Sequence, residues 1–167
     1  MHLELAQTMA AYNRWMNGRL YATCSDLTDE ERKADRGAFF GSIHGTLNHL
    51  LLGDKVWLGR FTGKPFQPAS LDQELFSDFD ELRAARETVD AAIEEWATNL
   101  NEDRLKGKLV FTSIVYPGQQ TYDLWVCVAH FFNHQTHHRG QLTALLSQAG
   151  KDYGVTDLMW LPGVRPE

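Results

Sequence analysis

The chain has 167 residues, 43% apolar, 23% charged and 11% aromatic, a composition that excludes a disordered, collagen-like or low-complexity protein. Sixteen basic against 22 acidic side chains leave a formal net charge of -6, which argues against nucleic acid as a partner, since phosphate binding needs a basic patch. No apolar run approaches the roughly 18 residues of a membrane span, and the opening MHLELAQTMAAYNRW lacks the basic-then-apolar order of a signal peptide, so a cytoplasmic protein of one domain, residues 1–167, is expected.

Leu5, Met9, Tyr12, Met16 and Leu20 recur at helical spacing and predict a first helix from Leu3 to about Cys24. Thr28 and Glu31 then form a capping-box pattern that opens a short charged turn. A second helix starts near Ser42 and stops at Gly63 and Pro65. Its face carries Ile43, Leu47, Leu50, Leu51, Leu58 and Phe61, and only Asp54 breaks the stripe. A proline-containing loop follows. The third helix runs from about Ser77 to Leu100, with Phe79, Leu82, Arg86, Val89, Ile93 and Trp96 at spacings of three and four. Val110, Thr112, Ile114 and Val115, followed by Pro117 and Gly118, read as a small hairpin. The last helix spans about Asp123 to Ala149 and stops at Gly150. The tail from Asp152 is apolar enough to dock on the helices. The expected class is all-α: a four-helix bundle with long connections and an accessory β-hairpin between the third and fourth helices.

Four of the seven histidines lie between His130 and His138. On a helical wheel His138 falls about 40° from the centre of the core stripe and His134 about 40° further, one turn before it. Histidines at i and i+4 can direct both rings at one metal ion. His130 continues the row farther from the core, and His137 faces water or a partner chain. On the second helix His49 is framed by Gly45 and Gly53. Each glycine costs about 1 kcal/mol of helix propensity, so two of them around one histidine suggest that space is wanted there, and His49 is the candidate third ligand. His44, about 140° away around the helix, reads as a core residue. Cys24 and Cys127 read as small core residues and reduced thiols.

No Asp or Glu occurs from Leu124 to Lys151. That excludes the Glu-x-x-His pairs of di-iron bundles and the H-E-x-x-H metalloprotease motif. All-imidazole ligation suits Zn²⁺, Ni²⁺, Cu²⁺ or Fe²⁺ and disfavours Mg²⁺ and Ca²⁺.

The strings NHQTHHRGQLTALLSQAG (Asn133 to Gly150) and GTLNHLLLGDKVWLGRFTG (Gly45 to Gly63) resemble the two histidine motifs of the DinB family. The opening around Tyr12, Asn13 and Trp15 and the closing GVTDLMWLPG are similar too, so the resemblance covers nearly the whole chain. It implies a four-helix bundle of metal-dependent enzymes with one histidine ligand on the second helix and two on the fourth, here His49, His134 and His138. It also implies a homodimer. Characterised relatives include thiol-dependent transferases and an isomerase that use low-molecular-weight thiols.

The leading expectation is therefore a metal-dependent enzyme, with Zn²⁺ or Ni²⁺ on the three histidines and a small-molecule substrate that includes a low-molecular-weight thiol. The reaction would be S-transfer or a related hydrolysis or isomerisation, since a bound cation lowers the pKa of a thiol or water. Gln141 and His130 are candidates for hydrogen bonds behind the ligands. The alternative is a non-catalytic dimeric stress-response or interaction protein with incidental metal binding, recognisable by a narrow or filled site.

Overall fold

The computed structural model describes residues 2–116 and 118–164. Helix α1 spans Leu3–Ser25, the five-residue α2 Asp29–Lys33, α3 Ile43–Thr62, α4 Phe79–Asn99, the one-turn α5 Glu102–Leu105 and α6 Leu124–Gln148. Strands β1 (Lys108–Thr112) and β2 (Gln119–Asp123) pair antiparallel between α5 and α6. The expected all-α bundle of four long helices with one hairpin is the observed architecture.

The helix ends follow from local chemistry. Ser42 Oγ accepts the Gly45 amide at 3.0 Å, and Asp78 Oδ1 accepts that of Glu81 at 2.9 Å. The predicted capping box is complete: Thr28 Oγ1 accepts from the Glu31 amide and Glu31 Oε2 from the Thr28 amide. It opens a true helix, α2, where only a turn was expected. At the end of α6, Gly150 takes φ +70°. The amides of Gly150 and Lys151 donate to the carbonyls of Ser147 and Leu146, the pairing of a Schellman motif.

The hairpin is shorter than the sequence suggests. Strand β1 stops at Thr112 because Ser113 Oγ accepts the amides of Val115 and Tyr116 at 3.2 and 2.9 Å. Ile114 and Val115 thus leave the ladder despite their β-branched side chains. Of the expected Pro117-Gly118 turn, Pro117 lies outside the described residues, as do Arg165, Pro166 and Glu167 of the tail. The rest of the tail docks as expected. Leu161 is buried, Arg19 donates to the carbonyls of Val155 and Tyr153, and the Tyr12 hydroxyl donates to that of Thr156.

Two apolar clusters make the core. One holds Met16, Leu20, Leu47, Leu51, Leu82, Leu142 and Leu146. The other holds Ala6, Ala10, Phe61, Ile93, Phe131 and Phe132. Reading along the chain, α1 and α6 pass from the second cluster to the first, whereas α3 and α4 pass from the first to the second. The bundle therefore runs up, down, down, up, with α1 against α4 and α6, and α3 against α4 and α6. Connection 63–78 must travel back along α3 to the opposite end of the bundle. On α1 the expected stripe shifts. Leu5 is exposed and Met9 only half-buried, while the small Ala6 and Ala10 take the inner positions.

Between the clusters lies a polar layer drawn from all four long helices. Asp54 Oδ2 accepts from Arg86 Nη1 at 2.6 Å. Arg86 Nη2 lies 2.9 Å from Asp90 Oδ1, an ion pair without hydrogen-bond alignment. Asn17 donates to Asp90 at 2.9 Å, Asn13 donates to the same carboxylate, and Arg139 donates to Asn13. Gln135 Nε2 donates to Asp54 Oδ1 at 2.8 Å. All of these side chains are buried. Asp54, the one break seen in the α3 stripe, thus meets Arg86 from the α4 stripe. Arg86 answers both carboxylates, and Arg139 joins the layer through the Asn13 amide oxygen, so the buried charges are compensated within it.

Candidate metal centre and its pocket

The seam between α3 and α6 sets the site. The bond from Gln135 to Asp54 fixes the register of these helices at the level of the polar layer. One residue before Gln135 is His134, one turn further is His138, and His49 lies on α3 five residues before Asp54. The Nε2 atoms of His49 and His138 are 3.2 Å apart, and those of His138 and His134 3.1 Å apart. One ligand atom from each of the three rings lies within 4.8 Å of the others, so this group could hold a metal ion.

The hydrogens on two rings are fixed from behind. His49 Nδ1 lies 2.9 Å from the Leu71 carbonyl oxygen. That oxygen can only accept, so Nδ1 carries the hydrogen and Nε2 presents a lone pair. His138 Nδ1 faces Gln141 Oε1 at 2.8 Å in the same way. Bare lone pairs about 3 Å apart repel one another and call for a shared cation. Two metal–nitrogen bonds of about 2.1 Å, opened to about 100°, span the observed separations. The residues present fit a divalent transition ion.

Electrostatics agree. Burial, then the adjacent His138 and His49, push His134 down to about 3. Burial, opposed by the Leu71 bond, pushes His49 down to about 4. Burial also holds His138 below its ordinary value. All three rings are neutral at neutral pH, the form that binds metal.

The framing glycines serve two contacts. A Cβ on Gly53 would stand 2.9 Å from His134 Cε1, so the missing side chain is the space the ring occupies. A Cβ on Gly45 would collide with the Phe40 carbonyl. That close approach seats the Phe40 ring on His49, stacked at 3.7 Å between centroids, and in a T-shaped contact with His138. Phe40 closes one side of the cluster.

The other side opens on a cavity of about 450 Å³ that His49 and His134 line. Its walls are mostly apolar: Leu52, Val56 and Trp57 from α3, Val126 from α6, and Phe111 and Tyr116 from the hairpin region. Ile114 and Val115, which left β1, line it as well. Cys127 also faces this space, and burial, partly offset by Arg60, raises its pKa. Both cysteines are free.

The remaining expectations sort as follows. Gln141 is bonded behind His138. His130 stays outside the three-ring group and packs on Trp57 at 4.9 Å, forming pocket wall. His137 is exposed, and His44 is buried against the Phe76 carbonyl at 2.8 Å. Asn48 escaped the sequence reading. Its Oδ1 accepts the amides of Leu75 and Phe76 at 2.8 and 3.0 Å, and its Nδ2 donates to the Phe76 carbonyl at 3.0 Å. Asn48 thereby pins the returning connection whose Leu71 carbonyl orients His49. A mid-helix asparagine beside a histidine, poor in helix propensity, was the available signal.

A helical bundle with three convergent imidazoles, two of them lining an apolar pocket, belongs to the class of bundle proteins that could carry a metal ion. The DinB family model matches residues 1–165, and the chain belongs to the DinB family. It is similar to Protein DinB of Bacillus subtilis (strain 168), 27% identical over 157 residues, which covers 92% of this chain and 91% of that protein. A crystal structure of a DinB-like protein from Bacillus cereus ATCC 10987 shares the fold, with a TM-score of 0.62 at 20% identity, over 84% of this chain and 89% of that one. No helix among the described residues is long and apolar enough to cross a membrane.

Proposed function

We propose that this protein is a divalent-metal-dependent enzyme in which His49, His134 and His138 hold Zn²⁺ or Ni²⁺. It acts on a small molecule by transfer of a low-molecular-weight thiol. A homodimer in the cytoplasm belongs to the same reading. The observation that carries it is the cavity's reach to His49 and His134, two members of the three-ring group. A non-catalytic interaction protein has no need of a substrate-sized space ending there.

A divalent ion held by three imidazoles supplies Lewis acidity, which lowers the pKa of a thiol or water. The chain does the rest. The Leu71 carbonyl and Gln141 hold two rings in the tautomer that offers Nε2. Phe40 excludes water from one side of the cluster, and Val56, Trp57 and Phe111 give the reacting molecule an apolar wall. No carboxylate lies among the described residues lining the cavity, so proton transfer there falls to imidazole or to solvent.

The test is the metal content of tag-free protein beside His134→Ala. About one ion per chain, lost in the variant with helix content unchanged, supports the site and justifies a screen of thiol-transfer reactions. Absence of metal, and no tight uptake of offered Zn²⁺ or Ni²⁺, refutes it.

A further inference from the structure

One charge in this pocket is unaccounted for. Arg60 lies on α3 eleven residues, and so about 16 Å of helix, beyond His49. Its guanidinium is held between two rings, 4.5 Å from the centroid of Trp57 and 4.1 Å from that of Phe111. Among the described residues it has no ion pair and no hydrogen-bond partner; besides the two rings, the Cys127 thiol bears on its charge. Arg60 is half-buried, whereas the two fully buried guanidinium groups among the described residues are committed: Arg86 to Asp54 and Asp90, and Arg139 to Asn13 and Thr136. Burial lowers the pKa of Arg60, as expected of a cation that gives up water without gaining a counter-ion. No Asp or Glu lines the cavity among the described residues. A cationic end, apolar walls and no anionic group make a space that repels cations and rewards an apolar molecule with one negative end.

We infer that the pocket takes a small organic carboxylate with an apolar, aromatic-sized body, its carboxylate bound by Arg60 and its other end directed to His49 and His134. The stacked guanidinium is pre-oriented, with N–H groups at its edge free to grip a carboxylate in two-point fashion. The body lies along Val56 and Trp57, which line the cavity and which α3 carries between His49 and Arg60. The inference names the substrate class for the site proposed above and rests on that reading for its catalytic meaning, but recognition at Arg60 needs no metal.

The probes are phenylbutyrate and its neutral primary amide, titrated against the full chain by tryptophan fluorescence and calorimetry, with and without a saturating chelator. The expected result is a preference for the carboxylate of roughly tenfold, present in both conditions and lost in Arg60→Met, while amide affinity stays within about twofold. Equal affinity for the two probes in the parent protein, or no binding of either, overturns the inference without any variant. A carboxylate preference that survives Arg60→Met, in a variant of unchanged helix content, overturns the role of Arg60. Metal content is read on the same samples. Failure to take up Zn²⁺ or Ni²⁺ sinks the metal reading alone, and loss of carboxylate preference in metal-loaded protein sinks this one alone.

Discussion

Replacing Gly53 with alanine separates the stability of the bundle from the geometry of its metal centre. The new methyl carbon would stand 2.9 Å from His134 Cε1 and 3.5 Å from Nδ1. Carbon atoms settle at about 3.5–4.0 Å, so the ring must retreat by about 0.6 Å or more. Metal–ligand distances tolerate about 0.2 Å, and disturbance of a ligand's support costs about 10–100-fold in affinity. The same substitution raises helix propensity by up to about 1 kcal/mol. Gly53→Ala should therefore bind Zn²⁺ at least about tenfold more weakly, while the chelated protein unfolds in urea no earlier than the parent. Gly140→Ala is the control. It lies on α6 with nothing within 4 Å of the added Cβ, so it should leave metal affinity unchanged. Competition calorimetry with a chelator gives the affinities. A Gly53→Ala protein that binds Zn²⁺ within twofold of the parent would refute the packing of glycine against ligand described above.

Arg86→Met leaves Asp54 and Asp90 buried without their cation, and urea unfolding should show a loss of about 3–5 kcal/mol; a loss below 1 kcal/mol would mean that water reaches the layer. Asn48→Leu strands the Leu75 and Phe76 amides and should cost about 2–3 kcal/mol in the same assay, together with weaker metal binding through the released Leu71 carbonyl. Stability of the chelated protein should fall in acid. The unfolded chain protonates these imidazoles near about pH 6.5, but the folded chain does so only near 4 at His49 and 3 at His134. The unfolded state thus holds more protons throughout that window, and stability present at pH 7 declines as pH drops from about 6.5 through 4 and 3. The urea midpoint measured against pH should flatten in the His49→Gln, His134→Gln double variant; an identical slope would contradict the assignment.

Periodicity made the long helices legible because each has one face that must meet apolar neighbours. The same rule misplaced the inner face of α1, where Ala6 and Ala10 win over Leu5 because the rings of Phe61, Phe131 and Phe132 fill that end of the core. The His134–His138 pair was visible because both residues share a helix. That His49 faces them depends on the α3–α6 register, which the Gln135 bond to Asp54 sets and no single-helix pattern encodes. Asp54 stood out as a charge on an apolar stripe. Arg86, long enough to pass as part of one, did not, and the polar layer went unread. Ile114 and Val115 misled for a local reason: the hydroxyl of Ser113 competes for the amides that a continuing strand would use.

The stacking of Phe40 on His49 has a kinetic corollary. With that side shut, an ion approaching or leaving the three rings shares its route with whatever occupies the cavity. On the proposed reading, an organic molecule that enters first would still bind at Arg60 but would stand in the way of an arriving ion. An organic molecule seated there would act as a stopper, slowing the escape of a bound ion to a chelator, and a smaller side chain in place of Phe40 would open a back door and remove that protection.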